Sequence, residues 1–181
     1  MEVRRHSLTK KGAARGRGSH LSAEGVALAR AVGANLGPFA HVVASPIPRT
    51  LETAIAMGFA VDDIVEMPSG YVPGEVDYHA QWSWEQPYVR YAEIIAQGGQ
   101  LARVTAETLA ILTRAVTSVP EGSAALVISH GGTIEPALVA CLPEADHASW
   151  GAGLSHCDGA RLTFEEGRFV RVEMRRARAL P

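Results

Sequence analysis

Lysine is nearly absent from this chain of 181 residues: Lys10 and Lys11 are the only two, and the rest of its 17 basic residues are arginines. Together with abundant alanine, that bias suits a high-GC bacterial genome. Cysteine is as scarce. Cys141 and Cys157 stand alone, without C-x-x-C spacing, which excludes a disulfide framework and reads as two reduced thiols in a cytoplasmic protein. Charge of one sign is missing too. A formal net charge of -2 gives no overall attraction to nucleic acid or to an anionic membrane, so neither is expected as a partner. No stretch approaches the roughly 18 to 20 apolar residues of a membrane span. The start, Met1-Glu2-Val3-Arg4-Arg5-His6, lacks the apolar centre of a signal peptide.

What is present is a regular alternation. Apolar residues make up 47% of the chain, enough for one domain spanning residues 1–181 with a sizeable core. Val3 begins a short strand ending at Arg5-His6. Ser22 caps a helix in which Val26, Ala29, Arg30, Val32 and Leu36 follow helical spacing until Gly37-Pro38. His41–Ala44 reads as a strand, and a helix runs from about Pro48 to Met57 with proline in its first turn. Val61–Met67 suits a short strand, and Pro87 opens a helix to Gln97. Leu101, Val104, Thr108, Ile111, Leu112, Ala115 and Val119 mark the clearest helix. Ala124–Ile128 is the compact apolar run of a strand buried on both faces, Gly132–Leu142 is helical, and Gly159–Met174 forms two strands around Glu165-Glu166-Gly167. Alternating strands and helices predict an α/β sandwich around a mostly parallel sheet.

Three polar motifs follow the ends of predicted strands, the edge where such sheets bind ligands. They are Arg5-His6-Ser7, Ser45-x-x-x-Arg49-x-x-x-Thr53-Ala54 and His130-Gly131-Gly132. A phosphate monoester is a dianion, and the planar fork of arginine holds it bidentately. A neutral imidazole attacks phosphorus in line, and arginines beside His6 favour that neutral form. His130 is placed to hydrogen-bond the equatorial oxygens, and Gly131 and Gly132 let backbone N–H groups approach them. The leaving alkoxide needs a proton, so a carboxylic acid is expected nearby.

These residues resemble the histidine phosphatase superfamily, also called phosphoglycerate mutase-like. Arg5-His6-Ser7-Leu8-Thr9 is similar to its Arg-His-Gly-x-Thr, and Leu21-Ser22-Ala23-Glu24-Gly25 to its Leu-Thr-x-x-Gly helix start. Ser45–Ala54 matches its Ser-x-x-x-Arg-x-x-x-Thr-Ala, and Ile128–Gly132 its second histidine motif. The four occur in the family's order between residues 3 and 142. The resemblance implies a three-layer α/β sandwich with a mostly parallel central sheet. It makes His6 the phosphate acceptor, with Arg5, Arg49 and His130 completing the phosphate pocket and Ser7, Thr9 and Gly131 as further substrate contacts. The family's proton donor is a glutamate after the second βα unit. Glu75-Val76-Asp77-Tyr78 fits that pattern, which makes Glu75 the first candidate, Glu85 the second and Asp77 the third.

The implied activity is hydrolysis of a small phosphomonoester without a metal ion or other cofactor. The alternatives are a phosphomutase of the same fold, a phosphatase of protein phosphohistidine, and a non-catalytic phosphate-binding module. Ser7 stands where the family has glycine, and Gly12 where many members have asparagine, departures that favour a compact phosphatase over a mutase. Glu75, Asp77 and His79 alternate on one strand face, but the companion ligands of a zinc site are not evident. His20, His41, His147 and His156 read as surface or local hydrogen-bonding residues. Lys10, Lys11, Arg15 and Arg17 form a basic loop suited to guiding an anion. All four tyrosines and two of the three tryptophans lie between Tyr71 and Tyr91, as a satellite core or as an apolar wall for the substrate's organic half.

Overall fold

The computed structural model describes residues 1–11 and 18–177. Six strands form one sheet: β1 (Glu2–Arg5), β2 (His41–Ala44), β3 (Asp63–Ile64), β4 (Ala125–Ser129), β5 (Gly159–Glu165) and β6 (Arg168–Arg175). Their order is β3-β2-β4-β1-β5-β6. The β3–β2, β2–β4 and β4–β1 pairings are parallel. β5 runs antiparallel to both β1 and β6, so it alone opposes the common direction. The helices are α1 (Ala23–Gly33), α2 (Pro48–Ala56), α3 (Pro87–Ala96), α4 (Gln100–Thr117) and α5 (Gly131–Cys141). Among the described residues no helix is long and apolar enough to cross a membrane.

The three layers follow from the two-residue period of a strand. In β4, Leu126 and Ile128 point to one face, where they pack with Val42, Leu28, Ala29, Ala54 and Met57 from β2, α1 and α2. Ala125 and Val127 point to the other, against Tyr88, Tyr91, Leu101, Leu112 and Leu138 from α3, α4 and α5. Both faces are covered, which is why β4 reads as a continuous apolar run. The fold is the three-layer, mostly parallel α/β sandwich that the resemblance implies.

Most expected elements fall within a residue or two of their positions. The last two strands turn at Glu166-Gly167, both at positive φ. The strand expected over Val61–Met67 is only Asp63–Ile64. The chain hugs β2 on either side of it: Val42 N–H donates to Asp62 Oδ2 at 2.8 Å and Asp62 N–H to Val42 O at 2.9 Å, while Val65 N–H donates to Ala44 O at 2.9 Å. Pro136 lies inside α5 and has no N–H for the carbonyl of Gly132. That carbonyl packs so closely on Gly70 that a Cβ there would sit 2.0 Å from it.

Parallelism brings His6, Ser45, Glu66 and His130 to one edge, each just beyond a strand. Because β5 is reversed, the segment leading into it reaches the same edge. Arg5 N–H donates to Asp158 O at 2.8 Å, and Cys157 N–H to His6 O at 3.3 Å.

Candidate active site

A cleft of about 1080 Å³ opens over this edge. Arg5, His6, Thr9, Lys10, Lys11, Arg49, His130 and Gly131 all line it. Arg15, Arg17 and Gly12 lie outside the described residues.

His6 is buried, with 8% of its surface exposed. Its Nδ1 lies 2.7 Å from Ser7 O. A carbonyl only accepts, so Nδ1 carries the proton and Nε2 keeps its lone pair. Burial pushes the His6 pKa well below 6.5. The Ser7 carbonyl opposes this, while Arg5, His130 and Arg49 add to it. The imidazole is therefore neutral at pH 7, with Nε2 as its free nitrogen.

His130 sits at the N-terminal boundary of α5, its ring 5.3 Å from that of His6. Arg49 Nη2 is 3.3 Å from His130 Nδ1, and Ser45 Oγ is 3.1 Å from its Nε2. A guanidinium only donates, so Nδ1 accepts and Nε2 carries the proton, which it donates to Ser45. Thr50 Oγ1 spends its own proton on the Ser45 and Ile47 carbonyls at 2.7 and 2.6 Å. It therefore accepts from Ser45 Oγ at 3.3 Å. Ser45 is thus an orienting group for His130.

Arg5 is buried, with its guanidinium 4.9 Å from the centre of the Trp82 ring. Its Nη1 donates to Leu154 O at 2.5 Å, while Nε has no hydrogen-bond partner among the described residues. Burial lowers its pKa, but an arginine remains charged.

Several expected residues lie elsewhere. Ser7 is fully buried. Its hydroxyl donates to Gly25 O at 2.7 Å, and its N–H donates to Thr53 Oγ1 at 2.9 Å. It ties the loop after β1 to α1 and α2 and does not face the cleft. Gly25 is required at this contact, because a Cβ would meet Leu8 O at 2.0 Å. Glu75, expected as the proton donor, caps α4 instead. Its Oε1 accepts from Gln100 N–H at 2.7 Å and its Oε2 from Leu101 N–H at 2.8 Å. Neither Glu75, Asp77 nor Glu85 lines the cleft; among the described residues the lining carboxylate is Glu66, just beyond β3.

His156 also lines the cleft, its ring 5.7 Å from that of His6. Burial lowers its pKa to about 4, an effect that Arg5 reinforces and Asp158 opposes. It is a cleft residue, where a surface or local hydrogen-bonding role was expected. The signal for it was topological: with β5 reversed beside β1, the residues before Gly159 must flank His6. His20, His41 and His147 do make local contacts, with Glu52, with Asp63 and with Leu142 O. The aromatic segment divides. Tyr71, Tyr78, His79 and Trp82 line the cleft, whereas Trp84 packs edge-on against Tyr91, with ring centres 5.1 Å apart. Among the described residues, no group of three or more His, Cys, Asp or Glu is arranged to hold a metal ion.

This geometry has a family. The family model of the histidine phosphatase superfamily (branch 1) matches residues 3–176. The chain belongs to that superfamily. Similar solved structures include a phosphoserine phosphatase from Entamoeba histolytica in complex with 3-phosphoglyceric acid. It is 19% identical, with 96% of this chain and 95% of that one covered and a TM-score of 0.67. A mycobacterial glucosyl-3-phosphoglycerate phosphatase complexed with VO3 is 23% identical over 98% of each chain, with a TM-score of 0.67. YhfR of Bacillus stearothermophilus is 19% identical over 93% of each chain, with a TM-score of 0.63. At these identities the likeness is one of fold. No curated protein sequence matches the chain.

Proposed function

We propose that the protein is a metal-independent phosphomonoester hydrolase that works through a phosphohistidine on His6. The observation that carries this reading is the fixed tautomer of His6. Its Nδ1–H is held by Ser7 O, so the lone pair of Nε2 is available in a pocket lined by Arg5, Arg49 and His130. In the first step Nε2 forms a bond to phosphorus as the ester P–O bond breaks, and the alkoxide takes a proton from a carboxylic acid. In the second, that carboxylate takes a proton from water, whose oxygen attacks phosphorus as the N–P bond breaks. Inorganic phosphate leaves and His6 is restored. Arg5 and Arg49 carry the dianion's charge, and His130 turns its Nε2–H from Ser45 Oγ to an equatorial oxygen when the dianion binds.

Glu66 is the proton donor in this proposal. It is the lining carboxylate among the described residues, whereas both oxygens of Glu75 are engaged by α4. Thr9 and the Gly131 backbone remain candidate substrate contacts; Ser7 does not. The substrate is a small phosphorylated molecule whose organic half meets Tyr78 and Trp82. Release of inorganic phosphate from an aryl phosphate, unaffected by EDTA and abolished by His6→Ala, is the expected result. Full turnover by His6→Ala, or transfer to a second substrate molecule in place of release, would overturn the reading.

A further inference from the structure

Glu135 lies in the middle of α5, among the most apolar stretches of the chain, and is fully buried. A buried carboxylate is costly unless its oxygens are matched, so its partners identify what it holds. Its Oε1 accepts from Leu154 N–H at 2.5 Å, and Tyr91 Oη lies 3.5 Å from its Oε2. Leu154 is fully buried as well. Its other backbone group, the carbonyl, accepts from Arg5 Nη1 at 2.5 Å.

The neighbouring glycines show how tightly this is packed. A Cβ on Gly153 would meet Glu135 Oε1 at 3.0 Å and Trp82 Cδ1 at 3.5 Å; one on Gly131 would meet Arg5 Nε and Glu135 Oε1, both at 3.6 Å. The Gly153-Leu154 backbone is thus wedged between Glu135 and the tryptophan whose ring lies under Arg5 Cζ. With Arg5 Cζ over the Trp82 ring, 4.9 Å from its centre, and Leu154 O accepting from Nη1, the guanidinium has two supports. Glu135 anchors the second.

We propose that Glu135 is a positioning residue for the phosphate pocket, holding the Leu154 backbone so that its carbonyl sets the orientation of Arg5. This rests on the reading of Arg5 as a phosphate ligand. A side chain that merely fills the core would matter for stability alone. A positioning residue also sets the affinity of the folded protein for a phosphate-like anion.

The test uses inhibition constants for inorganic vanadate, measured well below the melting temperature of each variant. Glu135→Asp keeps the charge but draws the acceptor back by one methylene, and Glu135→Leu removes it. Both should weaken vanadate binding about tenfold, the cost of losing one well-placed hydrogen bond to a charged group. Glu135→Gln still offers an amide oxygen to Leu154 N–H and should restore most of that affinity. In an Arg5→Lys background the Glu135→Asp effect should vanish, because the plane being held is gone. Glu135→Asp folds if Leu does not, and so carries the test alone. Wild-type affinity in Glu135→Asp, with Arg5→Ala still weakened, overturns the inference but leaves the phosphate pocket standing. Wild-type affinity in Arg5→Ala overturns both.

Discussion

Glu75 and Glu66 are the pair of carboxylates on which the account is most exposed, because sequence and structure assign them differently. Glu75 accepts the N–H groups of Gln100 and Leu101, two of the four that a helix start leaves without intrahelical partners. Its negative charge also faces the positive end of the α4 dipole. Glu75→Ala should therefore cost about 2 kcal/mol, the upper end for loss of an N-terminal cap. In a domain of this size that is a fall of about 4 to 8 °C in Tm. Hydrolysis should stay within about twofold of wild type, far from the loss of about 10²-fold or more that follows removal of a general acid. Glu66→Gln should instead lose about 10² to 10⁴ in kcat on an alkyl phosphate, where the leaving oxygen needs its proton. The loss should be smaller for a nitrophenyl ester, whose leaving group is already stable. Thermal unfolding and phosphate release on both substrates decide it. A Glu75→Ala protein with normal Tm and hydrolysis down a hundredfold would refute the reasoning.

Three other outcomes follow from contacts in the structure. Ser45→Ala removes the acceptor of His130 Nε2–H and should lower kcat/KM about tenfold, or about 1.4 kcal/mol, with little change in unfolding by urea. Trp84→Ala, which opens the contact with Tyr91, should cost about 3 kcal/mol of stability and leave KM alone. Trp82→Ala should raise KM, because that ring lines the cleft and its face lies under Arg5 Cζ; equal effects of the two on KM would count against the division of the aromatic segment. Burial raises the Glu135 pKa from 4.5 to about 7, with Leu154 N–H and Arg5 opposing the rise. A raised acid pKa favours folding at low pH, and this contribution disappears as pH climbs from about 4.5 through 7, about 3 kcal/mol in all. His6 and His156, with lowered pKa values, work in the opposite sense, losing stability as pH falls below 6.5. The measurement is therefore the difference between wild type and Glu135→Gln in urea unfolding at pH 5 and pH 8, and a difference that does not change with pH would contradict the burial argument.

Much of the site was legible because its parts stand at strand ends. Arg5-His6, Ser45, Arg49 and His130-Gly131 each follow an apolar run that parallel pairing brings to one edge, so local sequence already implies their meeting. The carboxylate that lines the cleft was not legible in this way. Glu66 and Glu75 lie in an irregular segment punctuated by Pro68, Gly70, Pro73 and Gly74, where no periodicity tells which carboxylate turns inward. Glu75 is drawn away by α4, a helix that begins 25 residues later. Ser7 follows His6 directly, yet its hydroxyl turns toward α1, a direction set by the packing of Gly25 against Leu8. Glu135 is hidden for another reason. It sits in a helix whose other buried positions are nearly all apolar or small, and only the fold reveals that Leu154 and Arg5 lie beside it.

The central claim is covalent chemistry at His6. The direct measurement is an alkaline quench of Glu66→Gln mixed with a nitrophenyl phosphate, followed by mass spectrometry of the peptide containing residue 6. An activated leaving group departs without an acid, while water attack lacks its base, so the intermediate should accumulate. The account predicts an acid-labile, alkali-stable phosphoryl group on His6, absent from His6→Ala. A phosphoryl group on any other residue, or wild-type turnover by His6→Ala, would contradict it.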